Sequence, residues 1–284
     1  MLNNDIMNQH CSQKGKKMKV VSLINGSLLS QTVASYALAY AKELHLGVSF
    51  IYIDANDNLS DVKKSAQLLE QKAKDLELKS EFFVLDSLED LQEYVESREI
   101  ETIFCSTRHQ HTILDKSFVK ELIAQKIRAD LCVVKVVKAG YLQEVQNILL
   151  PIKEAKLSVK KFTLMMVFAD AYDAKVEIYS LDKLSATKLQ KVTKEQIKQR
   201  LQEIIFKLRH YMKLFYLSGT SFSIKHDFAL SDGESVKTHI AKHNYDLAIV
   251  GAHSTNSIFE KNHPIDVLFE HPSINTLYFI PYED

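Results

Sequence analysis

One layout occurs twice in this chain, and it restricts the fold more than any other feature. Near the C-terminus the apolar run Leu247-Ala248-Ile249-Val250 stops abruptly at Gly251. A polar loop, a short amphipathic segment around Val267-Leu268-Phe269 and a second apolar run, Thr276 to Ile280, complete the unit. The same order is met earlier, at Glu101 to Cys105, Lys116 to Val119 and Leu131 to Val134. An apolar run that ends at a small residue and feeds a loop and a helix is how a parallel α/β sheet presents a ligand site at the carboxyl ends of its strands.

The flanking sequence extends each copy to five strands. Met18 to Ile24 is a β-branched run that leaves through Asn25-Gly26-Ser27, and Ser27 or Ser30 can cap the next helix. Val33, Tyr36, Ala37, Tyr40, Ala41 and Leu44 make one apolar stripe at helical spacing. Strands are predicted over 48–53, 81–85, 101–105 and 131–137, with helices over 59–76, 87–97 and 118–127. Residues 138–144 (KAGYLQE) break the pattern as a linker. The second round has strands over 145–152, 174–181, 221–228, 247–250 and 276–280. Its helices are expected over 157–171, 187–217 and 233–243, followed by the segment near 267–269. The first of these has Val159, Phe162, Thr163, Met166 and Val167 on its face. The 187–217 helix, with an allowance for a break, carries the stripe Leu189, Val192, Ile197, Leu201, Ile204, Leu208, Tyr211 and Phe215. Alternating strands and helices with short links require parallel strands and right-handed crossovers. The domain reading is therefore a flexible tail over 1–17, one α/β domain over 18–137, the linker, and a second domain over 145–284.

Composition narrows the function classes. The 284 residues include 36 basic and 36 acidic side chains, a balance that argues against general binding to nucleic acid or membrane surfaces. Cys11, Cys105 and Cys132 are an odd set without a CxxC pair, as expected of reduced thiols in the cytoplasm. No apolar run approaches the roughly 20 residues of a membrane helix, and the first 17 residues lack the apolar core of a signal peptide. Met18 is an alternative start.

The repeat resembles the universal stress protein family in its tandem form, over nearly all of Met18 to Pro281. Lys19 to Ser27 (KVVSLINGS) with the helix at Tyr36 to Ala41 looks like the family's opening strand, turn and first helix. Asp246 to Gly251 (DLAIVG) looks like its fourth strand, and Val267 to Ser273 (VLFEHPS) like its ending. The resemblance implies two Rossmann-like domains of the adenine nucleotide alpha hydrolase-like type, each a five-stranded parallel sheet flanked by helices. It also implies pairing of the two domains through their last strands, so that one chain mimics a family dimer.

Nucleotide-binding members carry Gly-x-x-Gly, roughly nine residues, then Gly-Ser/Thr, because glycines let backbone amides approach phosphate. Here Gly251 fits, Ser254 stands in place of the second glycine, and Lys261-Asn262 falls where Gly-Ser belongs. In the first copy Cys105 and Arg108 replace the two glycines, and Ser117 survives behind Lys116. The acidic residue expected after the first strand is Asn25 in one copy and Lys153 in the other. Candidate nucleotide contacts are thus Gly251, Ser254, Asn262, Asn25, Ser27, Arg108 and Ser117, with Lys116 and Lys261 as further charges. Against them stand bland readings: Gly251 as a strand-to-loop turn, and Asn25 and Ser27 as a helix-capping turn.

Cys105, His109 and His111 lack a second ligand pair at zinc spacing, and His239, His243, His253, His263 and His271 show no partner pattern. No Gly-x-Ser-x-Gly elbow, His-Glu-x-x-His helix or Walker loop is present. The expectation is a non-catalytic, cytoplasmic stress-response factor that acts by protein interaction or small-molecule sensing. The alternative is an ATP- or AMP-binding protein using a modified loop in the second copy, with slow hydrolysis. A regulatory module serving a membrane transporter is a third, since similar domains occur in that role. Neither nucleic acid nor membrane insertion is expected, and a homodimer is compatible with the pattern. Finally, the 187–217 helix is rich in lysine and arginine while 81–99 is rich in acid, an asymmetry that is either ordinary solvated surface or orients the halves or a partner.

Overall fold

In the computed structural model, residues 18–53, 59–107, 116–139, 145–153, 155–251 and 272–282 are described. The first half alternates β1 (Lys19–Leu23), α1 (Leu28–Glu43), β2 (Gly47–Ile53), α2 (Leu59–Asp75) and β3 (Ser80–Leu85). It continues with α3 (Leu88–Glu96), β4 (Ile100–Ser106), α4 (Lys116–Ala124) and β5 (Asp130–Lys135). The second half opens with β6 (Asn147–Lys153), α5 (Val159–Tyr172), β7 (Lys175–Lys183), α6 (Ala186–Leu189) and α7 (Lys194–Ser218). It closes with β8 (Phe222–Ala229), α8 (Asp232–Lys242), β9 (Leu247–Gly251) and β10 (Asn275–Ile280). The amphipathic segment near 267–269 lies outside the described residues, as do residues 1–17 and most of the linker.

All ten strands join one sheet in the order β3-β2-β1-β4-β5-β10-β9-β6-β7-β8. Each half is parallel throughout, in the sequence third, second, first, fourth, fifth. The junction is the exception: β10 runs antiparallel to β5, from Thr276↔Lys135 to Ile280↔Leu131. Buried Asn275 secures this seam. Its Oδ1 accepts from the backbone N–H of Val137 (2.8 Å) and Lys138 (3.0 Å), and its Nδ2 donates to Tyr36 Oη (3.0 Å). The rings of Tyr36 and Tyr40 on α1 meet Phe168 on α5 at 6.1 and 5.9 Å, so helices from both halves share one core over the seam. That contact explains why α5 buries Leu164, Met165 and Phe168, while Val159, expected on the buried face, is 69% exposed.

The long helix of the second half is two helices. Thr193 caps α7 with a complete capping box: Gln196 N–H donates to Thr193 Oγ1 (3.2 Å), and Thr193 N–H donates to Gln196 Oε1 (2.9 Å). Of the expected stripe, Ile204, Leu208 and Phe215 are fully buried.

At the amino ends of the strands each half builds a carboxylate-centred cluster, with the serine and glutamate exchanged. β2 and β3 place Ser49 beside Glu81; β7 and β8 place Glu177 beside Ser223. Glu81 Oε1 accepts from Ser49 Oγ (2.9 Å) and Tyr94 Oη (3.1 Å), and pairs with Lys19. Glu177 Oε1 accepts from Tyr245 Oη (2.6 Å) and lies 2.6 Å from His239 Nε2, while Lys225 bridges Oε2 at 2.8 Å. Burial alone would raise the Glu177 carboxyl, but hydrogen bonds from Lys225, Tyr245 and His239 hold it below its ordinary value.

Candidate functional site

The strand order reverses between β1 and β4 in one half and between β6 and β9 in the other, and such switch points are where doubly wound sheets hold ligands. In the second half the two strands pair only at Ile148↔Leu247 and Leu149↔Ala248. Pro151 supplies the reason for so short a ladder, since it has no N–H to donate to a neighbouring strand. Its carbonyl instead accepts from Lys161 Nζ at 2.8 Å.

Lys161 sits in the first turn of α5, behind the Ser158 cap, which accepts from its N–H at 3.2 Å. The side chain is 7% exposed and lies across Gly251. A Cβ built on that glycine would meet Lys161 Cδ at 2.9 Å and Nζ at 3.6 Å. A side chain at 251 would therefore have to displace the outer part of the Lys161 stem, which is flexible, and among the described residues no backbone atom stands in its way. Burial pushes the Lys161 amine down from 10.5 to about 7, and among the described residues no carboxylate offsets that desolvation. Sequence reasoning placed no function on Lys161. Its one signal is that Lys161, with Lys160, interrupts the apolar stretch Val159 to Val167, and both read equally well as solvated positions.

The first half uses its polar groups locally. Asn25 Oδ1 accepts from Ser27 N–H (3.1 Å) and Ser27 Oγ (2.6 Å), and Asn25 N–H donates to Ser30 Oγ (3.2 Å). Ser27 Oγ in turn accepts from Ser30 N–H (3.2 Å), capping α1. Gly26, at φ 83°, fits this turn because a Cβ would come within 3.1 Å of Val62 N. In the frame of the sheet Ser106, and not Cys105, stands at the place of Gly251. Val20 pairs with Val48 and Thr102, as Ile148 pairs with Val176 and Leu247, and four residues further on lie Ser106 and Gly251. Cys105, expected from spacing to replace the first glycine, lies one residue before that place. Cys105 is buried and inert: desolvation raises its thiol to about 12.

Ser117 falls in the first turn of α4, while Arg108, Ser254, Asn262 and Lys261 lie outside the described residues. The structure thus places Gly251 at one switch point with Lys161, places Asn25 and Ser27 at the other, and among the described residues brings no two of the candidate contacts from different halves together. Among the described residues no group of three His, Cys, Asp or Glu is arranged to hold a metal, and no helix is long and apolar enough to cross a membrane.

Neither a scan of protein-family models nor a search of curated proteins finds a match to this sequence. Solved structures do match over nearly the whole chain. A universal stress protein from Archaeoglobus fulgidus aligns with TM-score 0.58 and 11% identity, over 92% of this chain and 97% of its own. The cytoplasmic domain of a prokaryotic cation chloride cotransporter aligns with TM-score 0.58 and 11% identity, over 94% and 96%. A functionally unknown Pseudomonas aeruginosa protein gives TM-score 0.57 and 12% identity, over 93% of each chain. The class is a doubly wound α/β protein with two Rossmann-like sets of strands. The particular architecture is that of the universal stress proteins.

Proposed function

We propose that this chain is a cytoplasmic tandem universal stress protein, with domains over 18–137 and 145–284, that catalyses nothing. It acts in the stress response through protein contact or small-molecule sensing, and its nucleotide site is degenerate. One observation carries this reading. The open side of Gly251, which a phosphate-binding glycine keeps free for the ligand, is filled by the stem of Lys161. The turn at Asn25 and Ser27 supports it, since its hydroxyl and amide groups are engaged in capping α1.

A second reading keeps ATP or AMP in the second half. It is favoured by the Lys161 amine, which stands at a switch point and a helix N-terminus without an ion-pair partner among the described residues. The two readings separate on freshly purified protein, denatured and assayed by mass spectrometry for released nucleotide. An empty supernatant, with no thermal shift on adding ATP and magnesium, is expected. A stoichiometric adenine nucleotide would overturn the first reading and establish the second.

A further inference from the structure

The outer face of α7 is unusual for a helix at the rim of a sheet. Phe206, Tyr216 and Leu217 are 66%, 72% and 74% exposed and stand together on one helix. From Ile204 to Ser218 the helix has no acidic residue, and exposed Lys207, Arg209 and Lys213 are interleaved with the apolar side chains. The Arg209 guanidinium lies 4.3 Å from the Phe206 ring centre, so charge and aromatic surface form one patch. Aromatic residues beside arginine are the composition of interface anchors.

The chain itself carries the complement. On α3, Glu89, Glu93 and Glu96 are exposed with no basic residue between Leu88 and Glu96, and Val84 on the adjoining β3 is 39% exposed; Arg98, stacked on the Tyr94 and Phe83 rings, is one exposed cation at this edge against three carboxylates. These surfaces cannot meet within one molecule. β3 and β8 are the two edges of a ten-stranded sheet, about 43 Å apart at ~4.8 Å per strand. They also lie on opposite faces: residues of α3 belong to the same core layer as those of α4 and α8, whereas residues of α7 belong to the layer that holds α1, α2 and α5. The asymmetry therefore does not orient one half on the other, as one reading of the sequence allowed. A lipid surface is a poorer fit because the chain is neutral overall, with 36 charges of each sign, and its acidic end would be repelled. The first 17 residues do not fit the patch either, having Lys14, Lys16 and Lys17 against Asp5.

We propose that the basic, apolar face of α7 binds the acidic β3–α3 edge of a second copy of this chain. The contact is heterologous, so each molecule added leaves one free patch of each kind and association continues head to tail. The 15 residues from Ile204 to Ser218 offer roughly 225 Å² at about 10 Å width, well under half of one partner's share of a standard interface, so the association is weak and reversible. This goes beyond the function proposed above, because it requires neither a ligand nor another protein.

Light scattering on the full chain tests it. At about 20 mM salt the weight-average mass should rise with protein concentration, and it should fall to the monomer at about 0.5 M, where charges are screened beyond ~4 Å. Lys207→Gln/Arg209→Gln/Lys213→Gln and Glu89→Gln/Glu93→Gln/Glu96→Gln change only exposed positions, and unchanged circular dichroism melts would confirm that both variants fold. Each alone should associate at least about fivefold more weakly than wild type. Mixed, they should form a 1:1 complex that grows no further, because each supplies the patch the other lacks. A wild type that stays monomeric at low salt overturns the proposal, as does a mixture that forms no heterodimer. Sedimentation of a monomeric wild type with phosphatidylserine vesicles, lost in the α7 variant, would assign the patch to lipid instead.

Discussion

Lys161 is the residue at which burial and charge conflict most openly. Its amine is held at about 7 in the folded chain against 10.5 ordinarily, purely by desolvation. Below about pH 7 both folded and unfolded chains carry the proton, and the full cost of burying it is felt. Between there and about pH 10.5 the unfolded chain binds more protons than the folded one, so stability rises with pH. The rise from pH 7 to pH 9 has a ceiling of about 2.7 kcal/mol, at ~1.36 kcal/mol per unit. Lys161→Met should abolish that slope in urea denaturation series and melt no lower than wild type at neutral pH; equal slopes in the two proteins would refute the account. Removing the amine leaves the Pro151 carbonyl without its donor, which limits the gain by about 1 kcal/mol. Gly251→Ala tests the same contact from the other side. Its new Cβ, 2.9 Å from Lys161 Cδ, has only a flexible stem to displace, so it should cost no more than about 1 kcal/mol, and pairing it with Lys161→Ala should remove that loss.

At the scale of elements, the exchanged serine and glutamate show that the two halves solve one problem with different assignments. Each cluster needs one carboxylate between the second and third strands, and either strand can supply it. Glu177→Ser removes the acceptor shared by Lys225, Tyr245 and His239, and should cost about 2–4 kcal/mol in chemical denaturation. Adding Ser223→Glu restores the arrangement of the first half and should return at least half of that; no recovery would mean that the strands are not interchangeable. None of this could be read from the chain alone, because Glu177 meets Tyr245 over 68 residues and neither has a distinctive neighbourhood in sequence. The element order, by contrast, was legible, since runs such as Val48 to Ile53 are buried on both faces and carry their strand character without tertiary help. The break before α7 was half legible. The apolar period continues through Val192, but Thr193 and Gln196 spell a capping box, and that local signal prevails. Lys161 and Gly251 were legible only as types: which atom fills a glycine's open side depends on how α5 docks, and that is set by Phe168 meeting α1 across the seam.

At the scale of the molecule, the antiparallel ladder between β5 and β10 decides how the halves depend on each other. Leu131 to Lys135 are paired by Ile280 to Thr276, and Tyr278, Leu277 and Val133 are wholly buried there. A half produced alone would expose β5 as an edge of nearly continuous apolar residues, which is a template for pairing. The partner it loses presents the same kind of surface, a last strand run antiparallel, so a second copy of the half can replace it about a two-fold axis. Residues 18–138 alone should therefore elute as a dimer, and Val133→Lys should convert it to a monomer or to aggregate. In the full chain the shared core of Tyr36, Tyr40 and Phe168 and the hydrogen bonds of Asn275 join the halves, and calorimetry should record one cooperative transition. Asn275→Ala frees two backbone N–H groups and the Tyr36 hydroxyl at once. It should lower stability by about 2–4 kcal/mol, and the loss falls on the seam, so the single transition should broaden or split. Two separate transitions in the wild-type protein would show instead that the halves fold independently and that the ladder between β5 and β10 contributes little to holding them together.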